Sequence, residues 1–245
     1  MPSKIAHANS APRALIVTID GPGGVGKSTV AKLLAHRLGI TYLDTGATYR
    51  VLAYAALEHK LNPVTDVAQL ATLARHLKLH LQRSTGGSLR VTLGDRDITT
   101  EIRMERISET AAQLSQHPAV REAMVELQRR LATRQGVVVE GRDTGSVVFP
   151  RATHKFFLDA NPTVRARRRQ CELKKFYGGA QPPLAEVQEK LQLRDGLDRN
   201  RRVGPLMKPE GAAFIDTSRM TAQQVVTKMW RAIHGTPRGG RRLPR

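Results

Sequence analysis

The stretch that most restricts what this chain can fold into is the glycine-rich run GPGGVGKS, which matches G-x-x-x-x-G-K-[ST] at every fixed position. An apolar run at positions 15–19 precedes it, and an amphipathic stretch with apolar residues at positions 30, 33, 34 and 38 follows. A phosphate-binding loop requires this order of strand, loop and helix. A glycine-rich turn before an ordinary helix is the alternative. We predict that the loop binds ATP through Gly21, Pro22, Gly23, Gly24, Val25, Gly26, Lys27, Ser28 and Thr29.

The chemistry of this loop follows from its backbone. Glycines permit close approach of the main chain, and the unpaired N–H groups at the start of the next helix converge on one anion. Lys27 supplies a mobile positive charge for the β- and γ-phosphates, and the short Ser28 hydroxyl is placed to hold Mg²⁺. The loop by itself does not separate kinases from GTPases, motor ATPases or helicases.

Length and cysteine content limit the class of protein. A chain of 245 residues is long for one ordinary domain and short for two, so we expect one α/β domain with an insertion. We see no apolar run of eighteen residues and no secretory leader, and we therefore expect no membrane segment. The single cysteine, Cys171, cannot form an internal disulfide, which favours a reducing cytoplasm.

The formal net charge of +19 fits either nucleic-acid binding or affinity for small polyanions. Part of the excess lies in the Gly/Pro-rich end at 235–245, which we predict to be a disordered basic tail, as we predict residues 1–13 to be a disordered leader. Aromatic residues make up 4% of the chain, too few for base-stacking platforms. We expect nucleic-acid binding, if any, through the tail alone.

The pattern of elements between the tails predicts a parallel sheet flanked by helices, in one domain at 14–234. Strands are predicted at 40–43, 137–139, 154–158 and 212–215, and helices at 49–58, 66–77, 100–115, 118–133 and 221–233. Alternating runs around residues 77–81 and 89–93 predict a hairpin-bearing insertion at 62–98. An arginine-rich helix and a loop at about 160–183 form a predicted lid.

Polar side chains follow two of these strands, where ligands bind in such sheets. Asp44 and Thr45 follow one strand, and they are equally well explained as a cap for the next helix. Arginines near strand ends or loops suit phosphate because the guanidinium binds two oxygens at once; they are Arg50, Arg142, Arg194 and Arg201. Arg165, Arg168 and Arg169 are interpreted as a mobile cationic cover that closes on the nucleotide, with a solvated helix face as the alternative.

Four further segments carry a family resemblance: DTGATYR at 44–50, PAVR at 118–121, GRDTG at 141–145 and RDGLDRNR at 194–201. Together with the phosphate loop, they resemble the bacterial cytidylate kinases, and the likeness runs from about residue 14 to 233. The resemblance implies Mg²⁺-dependent transfer of the γ-phosphoryl group of ATP to CMP or dCMP by a monomer. It also implies that the insertion belongs to a CMP-binding subdomain.

The resemblance assigns roles by position. Arg142 and Arg201 would grip the acceptor phosphate, Arg194 and Asp198 would meet the ribose, and Arg121 and Asp143 would read cytosine. Predicted catalytic residues are Lys27, Arg142, Arg168, Arg169 and Arg194; predicted CMP-binding residues are Asp44, Thr45, Arg50, Arg121, Arg142, Asp143, Arg194, Asp198 and Arg201. No residue stands out as a general base. A phosphate acceptor is already anionic and hardly needs a base to remove a proton from it.

Two positions depart from the family pattern. Ala112 stands where a serine that helps to read the cytosine amine is expected, so we expect a smaller preference for CMP over UMP. Glu140 replaces the usual aspartate near the metal, and we expect it to act through water. Another small-molecule kinase, such as a shikimate or thymidylate kinase, is one rival interpretation, and a nucleic-acid-binding ATPase is the other.

Overall fold

The computed structural model describes residues 14–83, 89–132, 136–177 and 182–235. Within these ranges a central sheet contains β1 (Ile16–Asp20), β2 (Thr41–Asp44), β6 (Val137–Gly141), β7 (His154–Asp159) and β8 (Ala213–Asp216). The five strands lie in the order β2-β6-β1-β7-β8 and all pair in parallel. Their carboxyl ends therefore meet at one edge of the sheet, where ligands bind in folds of this type. The predicted α/β fold class is confirmed.

Helices cover both faces of this sheet because its strands are apolar on both sides. On one face, α1 (Lys27–Leu38) and α8 (Ala222–His234) pack against β1 and β7 through buried residues that include Ile19, Leu34 and Met229. The helices α6 (Pro162–Tyr177) and α7 (Leu184–Arg199) pack against each other beside the phosphate loop. The central strands are thereby buried between helices.

A second hydrophobic core belongs to the unit between β2 and β6. Its helices are α2 (Thr45–Glu58), α3 (Val67–Arg75), α4 (Glu105–Leu114) and α5 (Pro118–Leu131). Among the described residues an antiparallel sheet of three strands, β3 (Leu79–Arg83), β4 (Leu89–Leu93) and β5 (Arg96–Asp97), packs against them. We call residues 45–131 the α2–α5 unit. Because it is inserted between two sheet strands, it stands over the carboxyl edge of the sheet.

Two helices differ from their predicted bounds for local reasons. The helix predicted from residue 49 begins at Thr45, because the Asp44 side chain accepts a hydrogen bond from Ala47 N (2.8 Å) and caps it. The helix predicted over 100–115 is divided into a 3₁₀ turn (Glu101–Arg103) and α4, because Met104 adopts an extended conformation with ψ 144°. A side-chain cap thus moves one helix start, and one extended residue divides the other helix.

A π-helical turn (Thr144–Val148) directly follows β6 and has no counterpart in the predicted elements. The predicted leader at 1–13, the centre of the 62–98 hairpin, part of the lid loop and nearly all of the basic tail lie outside the described residues. Within the described ranges, no helix has both the length and the apolar content that crossing a membrane requires.

Candidate active site

A cavity of about 390 Å³ opens at the carboxyl edge of the sheet, between the phosphate loop and the α2–α5 unit. Its walls come from the ends of β2 and β6, from α1 and α2, and from α4, α6 and α7. The two substrates of a transfer reaction must meet at close range, and this cavity brings a phosphate loop and a set of arginines into one space.

The phosphate loop forms the floor of the cavity. Gly21 opens it in close contact with the carbonyl of Leu158 on β7, where the Cβ of any other residue would collide. The Lys27 ammonium donates to Pro22 O at 2.7 Å, so the side chain folds back over its own loop. Burial and, after it, the charge of Arg142 lower the pKa of Lys27 to about 7. A bound polyphosphate would restore the ordinary charge state of this lysine.

Oxygen ligands lie beside the loop at the ends of β2 and β6, where Asp44 and Glu140 are paired in register. The buried Glu140 carboxylate accepts a hydrogen bond from the Tyr42 hydroxyl at 2.5 Å and another from Ser28. Burial, and then the charge of Asp44, raise the pKa of Glu140, whereas Lys27 opposes the shift. Hydroxyl and carboxylate oxygens suit Mg²⁺, so Ser28 and Glu140 fit a hydrated magnesium ion. In the described ranges, no cluster of three or more His, Cys, Asp or Glu side chains could hold a metal by itself.

Asp44 and Thr45 carry structural bonds as well as lining the cavity. Besides capping α2, Asp44 forms an ion pair with Arg50 at 3.0 Å. Burial favours the neutral form of Asp44, but Arg50 and the Ala47 N–H outweigh it, and the pKa of Asp44 is lowered. The Thr45 hydroxyl donates to Glu140 O at 2.7 Å. Asp44 and Thr45 therefore belong both to the start of α2 and to the cavity wall. The interpretation of these residues as a helix cap and their interpretation as binding residues do not exclude each other.

A cluster of guanidinium groups faces the loop from the other side. Arg142 donates from Nε to Asp198 Oδ2 at 2.8 Å, and its Nη2 lies beside Gly23 of the phosphate loop. Arg201 lies 3.6 Å from the other Asp198 oxygen. Arg194 lies within α7, and its Nε has no hydrogen-bond partner among the described residues.

The cluster carries more positive charge than its carboxylates balance. Burial, and then the charge of Arg142, lower the pKa of Arg194 to about 10; Arg50 and Arg169 add to this repulsion, and Asp198 reduces it. Like charges gathered in a partly dry space attract anions strongly. The arrangement is therefore suited to the phosphate of an acceptor placed opposite the donor phosphates.

The candidate base site lies deeper, where Arg121 and Asp143 form a buried ion pair. Arg121 also donates to Ser115 O at 3.4 Å, and its Nε has no hydrogen-bond partner in the described part of the chain. Gly204 covers this pair with φ 61°, and a Cβ there would collide with both side chains. Burial raises the pKa of Asp143, and the charge of Arg121 opposes this. A carboxylate, which accepts hydrogen bonds, thus lies next to a guanidinium, which donates them. A base that carries a donor next to an acceptor would match this pair.

Two of the arginines predicted to form a mobile cover are bound to the phosphate loop instead. Arg165 is buried and pairs with Asp195, and it also donates to Gly23 O at 3.0 Å. Arg168 donates to Val25 O at 3.2 Å and to Thr217 O at 2.7 Å. Their guanidinium groups are held here by carbonyl oxygens and a carboxylate, so the structure shows neither the predicted cover nor a solvated helix face, and the mobile cover stays a prediction.

Arg169 does face the cavity, and it spans its mouth. It pairs with Glu105 on α4 at 3.3 Å and with Glu172 on its own helix at 3.4 Å. Glu105 had no predicted role, and a pairing across 64 residues leaves no local signal in the sequence.

Most predicted site residues line the cavity: Gly23, Gly24, Gly26, Lys27, Ser28, Thr29, Asp44, Thr45, Arg50, Glu140, Arg142, Asp143, Arg169, Arg194, Asp198 and Arg201. Gly21, Pro22 and Val25 form the buried back of the loop, Arg121 stands behind Asp143, and Arg168 lies outside the lining. Sequence reasoning gave no role to Tyr42 or Lys32, although Lys32 lies four residues after Ser28 on the same face of α1 and lines the cavity.

The fold and the cavity together define the class of protein. A phosphate loop on the central strand of a parallel sheet, facing a cluster of arginines under an inserted unit, is the site of a P-loop phosphotransferase that acts on small anionic acceptors. A family model described as cytidylate kinase matches residues 17–235, and the chain belongs to that family. Its members use a phosphate group as the acceptor.

Curated relatives agree with the family model. The cytidylate kinase of Caldanaerobacter subterraneus subsp. tengcongensis is 43% identical over 223 residues, which cover 91% of this chain and 96% of the relative. The cytidylate kinase of Symbiobacterium thermophilum is 42% identical over 224 residues, covering 91% and 98%. A solved shikimate kinase from Bacteroides thetaiotaomicron has a TM-score of 0.43 and 14% identity over 90% of this chain and 98% of its own.

Proposed function

We propose that this chain transfers the γ-phosphoryl group of ATP to CMP or dCMP, giving ADP and the diphosphate. The observation that carries the proposal is the position of Arg194, a guanidinium without a hydrogen-bonded carboxylate at Nε in the described chain, in the same cavity as the phosphate loop. Such a group destabilises the empty protein and is explained by the anion that it binds.

The reaction requires the enzyme to hold two anions against their mutual repulsion. Loop N–H groups and Lys27 would hold the donor phosphates, and Arg142 and Arg201 would hold the acceptor phosphate. The family resemblance gives Arg194 to the ribose, and its Nε without a hydrogen-bond partner among the described residues supports a contact with the acceptor phosphate as well. Because Nη2 of Arg142 lies beside Gly23, this arginine would lie between the two phosphates. We assign no general base, since the acceptor oxygen is already charged.

Ser28 and Glu140 are the residues proposed to hold Mg²⁺, with the ATP phosphates and water as its remaining ligands. When bound, the ion neutralises charge that develops on the β- and γ-phosphates. In this chain, the Tyr42 hydroxyl donates to Oε1 of Glu140, and the Glu140 carboxylate also accepts a hydrogen bond from Ser28.

Recognition of cytosine is assigned to the pair of Asp143 and Arg121. Cytosine presents a donor at N4 next to acceptors at N3 and O2, whereas uracil presents an acceptor at position 4 and a donor at N3. Asp143 would accept from the N4 amine and Arg121 would donate to the acceptors. Uracil would leave the buried carboxylate facing a carbonyl, which costs roughly 1–3 kcal/mol.

The proposal includes the setting in which the enzyme works. We propose that it acts in the cytoplasm, because Cys171 is an unpaired, exposed thiol that a reducing compartment would preserve. We also propose that it is a monomer, as the family resemblance implies. The excess of basic residues beyond position 235 leaves nucleic-acid binding as a second property to test. Deletion of residues 236–245 should leave kinase turnover intact and should reduce any salt-sensitive affinity for polynucleotide.

The test is release of ADP from ATP with CMP, dCMP, UMP or dTMP as acceptor. We expect turnover with CMP and dCMP, and we expect Asp143→Asn to narrow the preference for CMP over UMP by roughly tenfold or more. Lys27→Met and Arg142→Met should abolish most turnover. Arg151→Met is the matched control, because this exposed arginine lies outside the cavity lining. Full turnover in a folded Arg142→Met variant, or equal use of CMP and UMP by the unaltered chain, would refute the proposal.

A further inference from the structure

The inference concerns Asp20, the last residue of β1, which is completely buried. On its chain side it directly precedes Gly21, the first residue of the phosphate loop. Across the sheet it lies in register with Gly141 of β6, directly before Arg142 and Asp143. Asp20 therefore stands at the point where the donor loop and the proposed acceptor residues are nearest in the sheet.

The Asp20 carboxylate is bound by the turn that follows these acceptor residues. Oδ1 accepts from the Thr144 N–H and from the Thr144 hydroxyl, each at 2.7 Å, and Oδ2 accepts from the Gly145 N–H at 2.7 Å. In the described part of the chain, Asp20 makes no ion pair with a lysine or an arginine. The turn thus holds this carboxylate through neutral donors only.

A buried carboxylate without a paired cation is a costly way to fasten a turn. Burial raises the pKa of Asp20 to about 6, against three opposing hydrogen bonds, and the nearby Asp143 adds to the rise. A carboxylate has one property that no neutral side chain shares, since both of its oxygens accept and neither donates. The three groups that bind Asp20 are all donors in this structure, so an amide in its place would set an N–H against an N–H.

We propose that Asp20 is a positioning residue that sets the Arg142–Asp143 turn at a fixed distance from the phosphate loop. One peptide unit separates Asp20 from the loop, and one separates Thr144 from Asp143, so the connection has little freedom. The inference rests on the proposed function, because it gives Arg142 and Asp143 their roles toward the acceptor. It adds a residue that touches neither substrate and acts through the turn.

The experiment compares Asp20→Asn with Asp216→Asn. Asp216 ends β8 in the same sheet, and its Oδ1 accepts from the N–H and the hydroxyl of Ser218 at 2.8 and 2.6 Å, but it is exposed and outside the cavity. In Asp20→Asn we expect kcat/KM for CMP to fall roughly 10- to 100-fold, mainly through KM for CMP, with KM for ATP within about twofold. The preference for CMP over UMP should narrow as well. Asp216→Asn should match the unaltered chain in kcat/KM for CMP, in KM for CMP, in KM for ATP and in the preference for CMP over UMP.

A second pair of variants keeps the test decisive if Asp20→Asn folds poorly. Thr144→Val removes one donor to Asp20 and should raise KM for CMP several-fold, whereas Thr144→Ser keeps the hydroxyl and should restore it. A merely structural role for Asp20 would lower the yield or Tm of these variants and leave the ratio of the two KM values unchanged, and that result would overturn the proposal. The same comparison is made with whichever of CMP, dCMP, UMP and dTMP the unaltered chain uses best. Failure of the proposed function then appears in the unaltered chain itself, and failure of this inference appears only in the variants.

Discussion

Replacement of Arg194 by methionine should make the empty protein more stable and the enzyme far less active. Methionine keeps much of the aliphatic packing of arginine and removes the charge. In the structure this charge is disfavoured by burial first and by Arg142 next, and the pKa of Arg194 is lowered to about 10. A buried charge that lowers the stability of the protein without ligand is expected at a binding site, where the ligand supplies the opposite charge.

The size of the effect follows from that pKa. One pH unit corresponds to about 1.4 kcal/mol, so the lowered pKa amounts to roughly 3 kcal/mol of unfavourable free energy in the charged, folded chain. Arg194 is partly exposed, and water screens part of this cost. We therefore expect the free energy of unfolding to rise by about 1–2 kcal/mol in Arg194→Met. For a domain of this size the corresponding rise in Tm is about 2–8 °C.

The assay combines thermal unfolding with kinetics at pH 7. Without nucleotide, Arg194→Met should melt above the unaltered chain; with CMP, the order should reverse, because the variant loses the ligand that stabilises the folded state. The value of kcat/KM for CMP should fall about 100-fold or more. Arg199→Met is the control, since Arg199 is exposed on the same helix. A variant that is less stable than the unaltered chain without nucleotide, or one that keeps its kcat/KM, would refute the reasoning.

Three further predictions concern the turn, the base site and its cover. Because the pKa of Asp20 is raised to about 6, the stability that this residue contributes is full below about pH 4 and is lost as the pH rises through 6. The difference in free energy of unfolding between the unaltered chain and Asp20→Asn, measured by urea unfolding, should therefore shrink by about 2 kcal/mol between pH 4.5 and pH 7. The same difference at both pH values would contradict this prediction. Gly204→Ala should lower the free energy of unfolding by about 1–3 kcal/mol and reduce kcat/KM for CMP, because φ is 61° and a Cβ meets the Arg121–Asp143 pair; an unchanged urea midpoint would argue against it. Ala112→Ser should increase the ratio of kcat/KM for CMP to that for UMP by about threefold or more, since Ala112 lines the cavity and the serine adds a hydroxyl; equal ratios before and after would count against this.

Local patterns were sufficient to predict the frame of the site. The phosphate loop carries its own strand and helix signals, and the polar residues at Asp44 and Glu140 mark the ends of strands that the structure places side by side. Because parallel strands end at one edge, their terminal side chains are brought together by the topology alone. The arginines in the motifs then fall around the cavity with little further information.

Contacts between distant segments could not be predicted in this way. Asp20 and Thr144 are 124 residues apart, and the local sequence around either residue does not predict the contact with the other. The π-helical turn that presents Thr144 follows from these tertiary bonds, whereas the predictions for helices rest on periodicity. Arginine-rich composition suggested a mobile cover at Arg165 and Arg168, but composition does not reveal the carbonyl oxygens of Gly23, Val25 and Thr217 that bind them.

The anchoring of α6 limits how this enzyme can close. Arg165 and Arg168 fasten the first two turns of the helix to the phosphate loop, so those turns move with the donor site as one piece. A closure of α6 on bound nucleotide would pivot beyond Arg168, and Arg169 would be the first side chain to move with it, after its ion pair with Glu105 breaks. Engagement of the donor phosphates and release of that contact would then be successive events along a single helix.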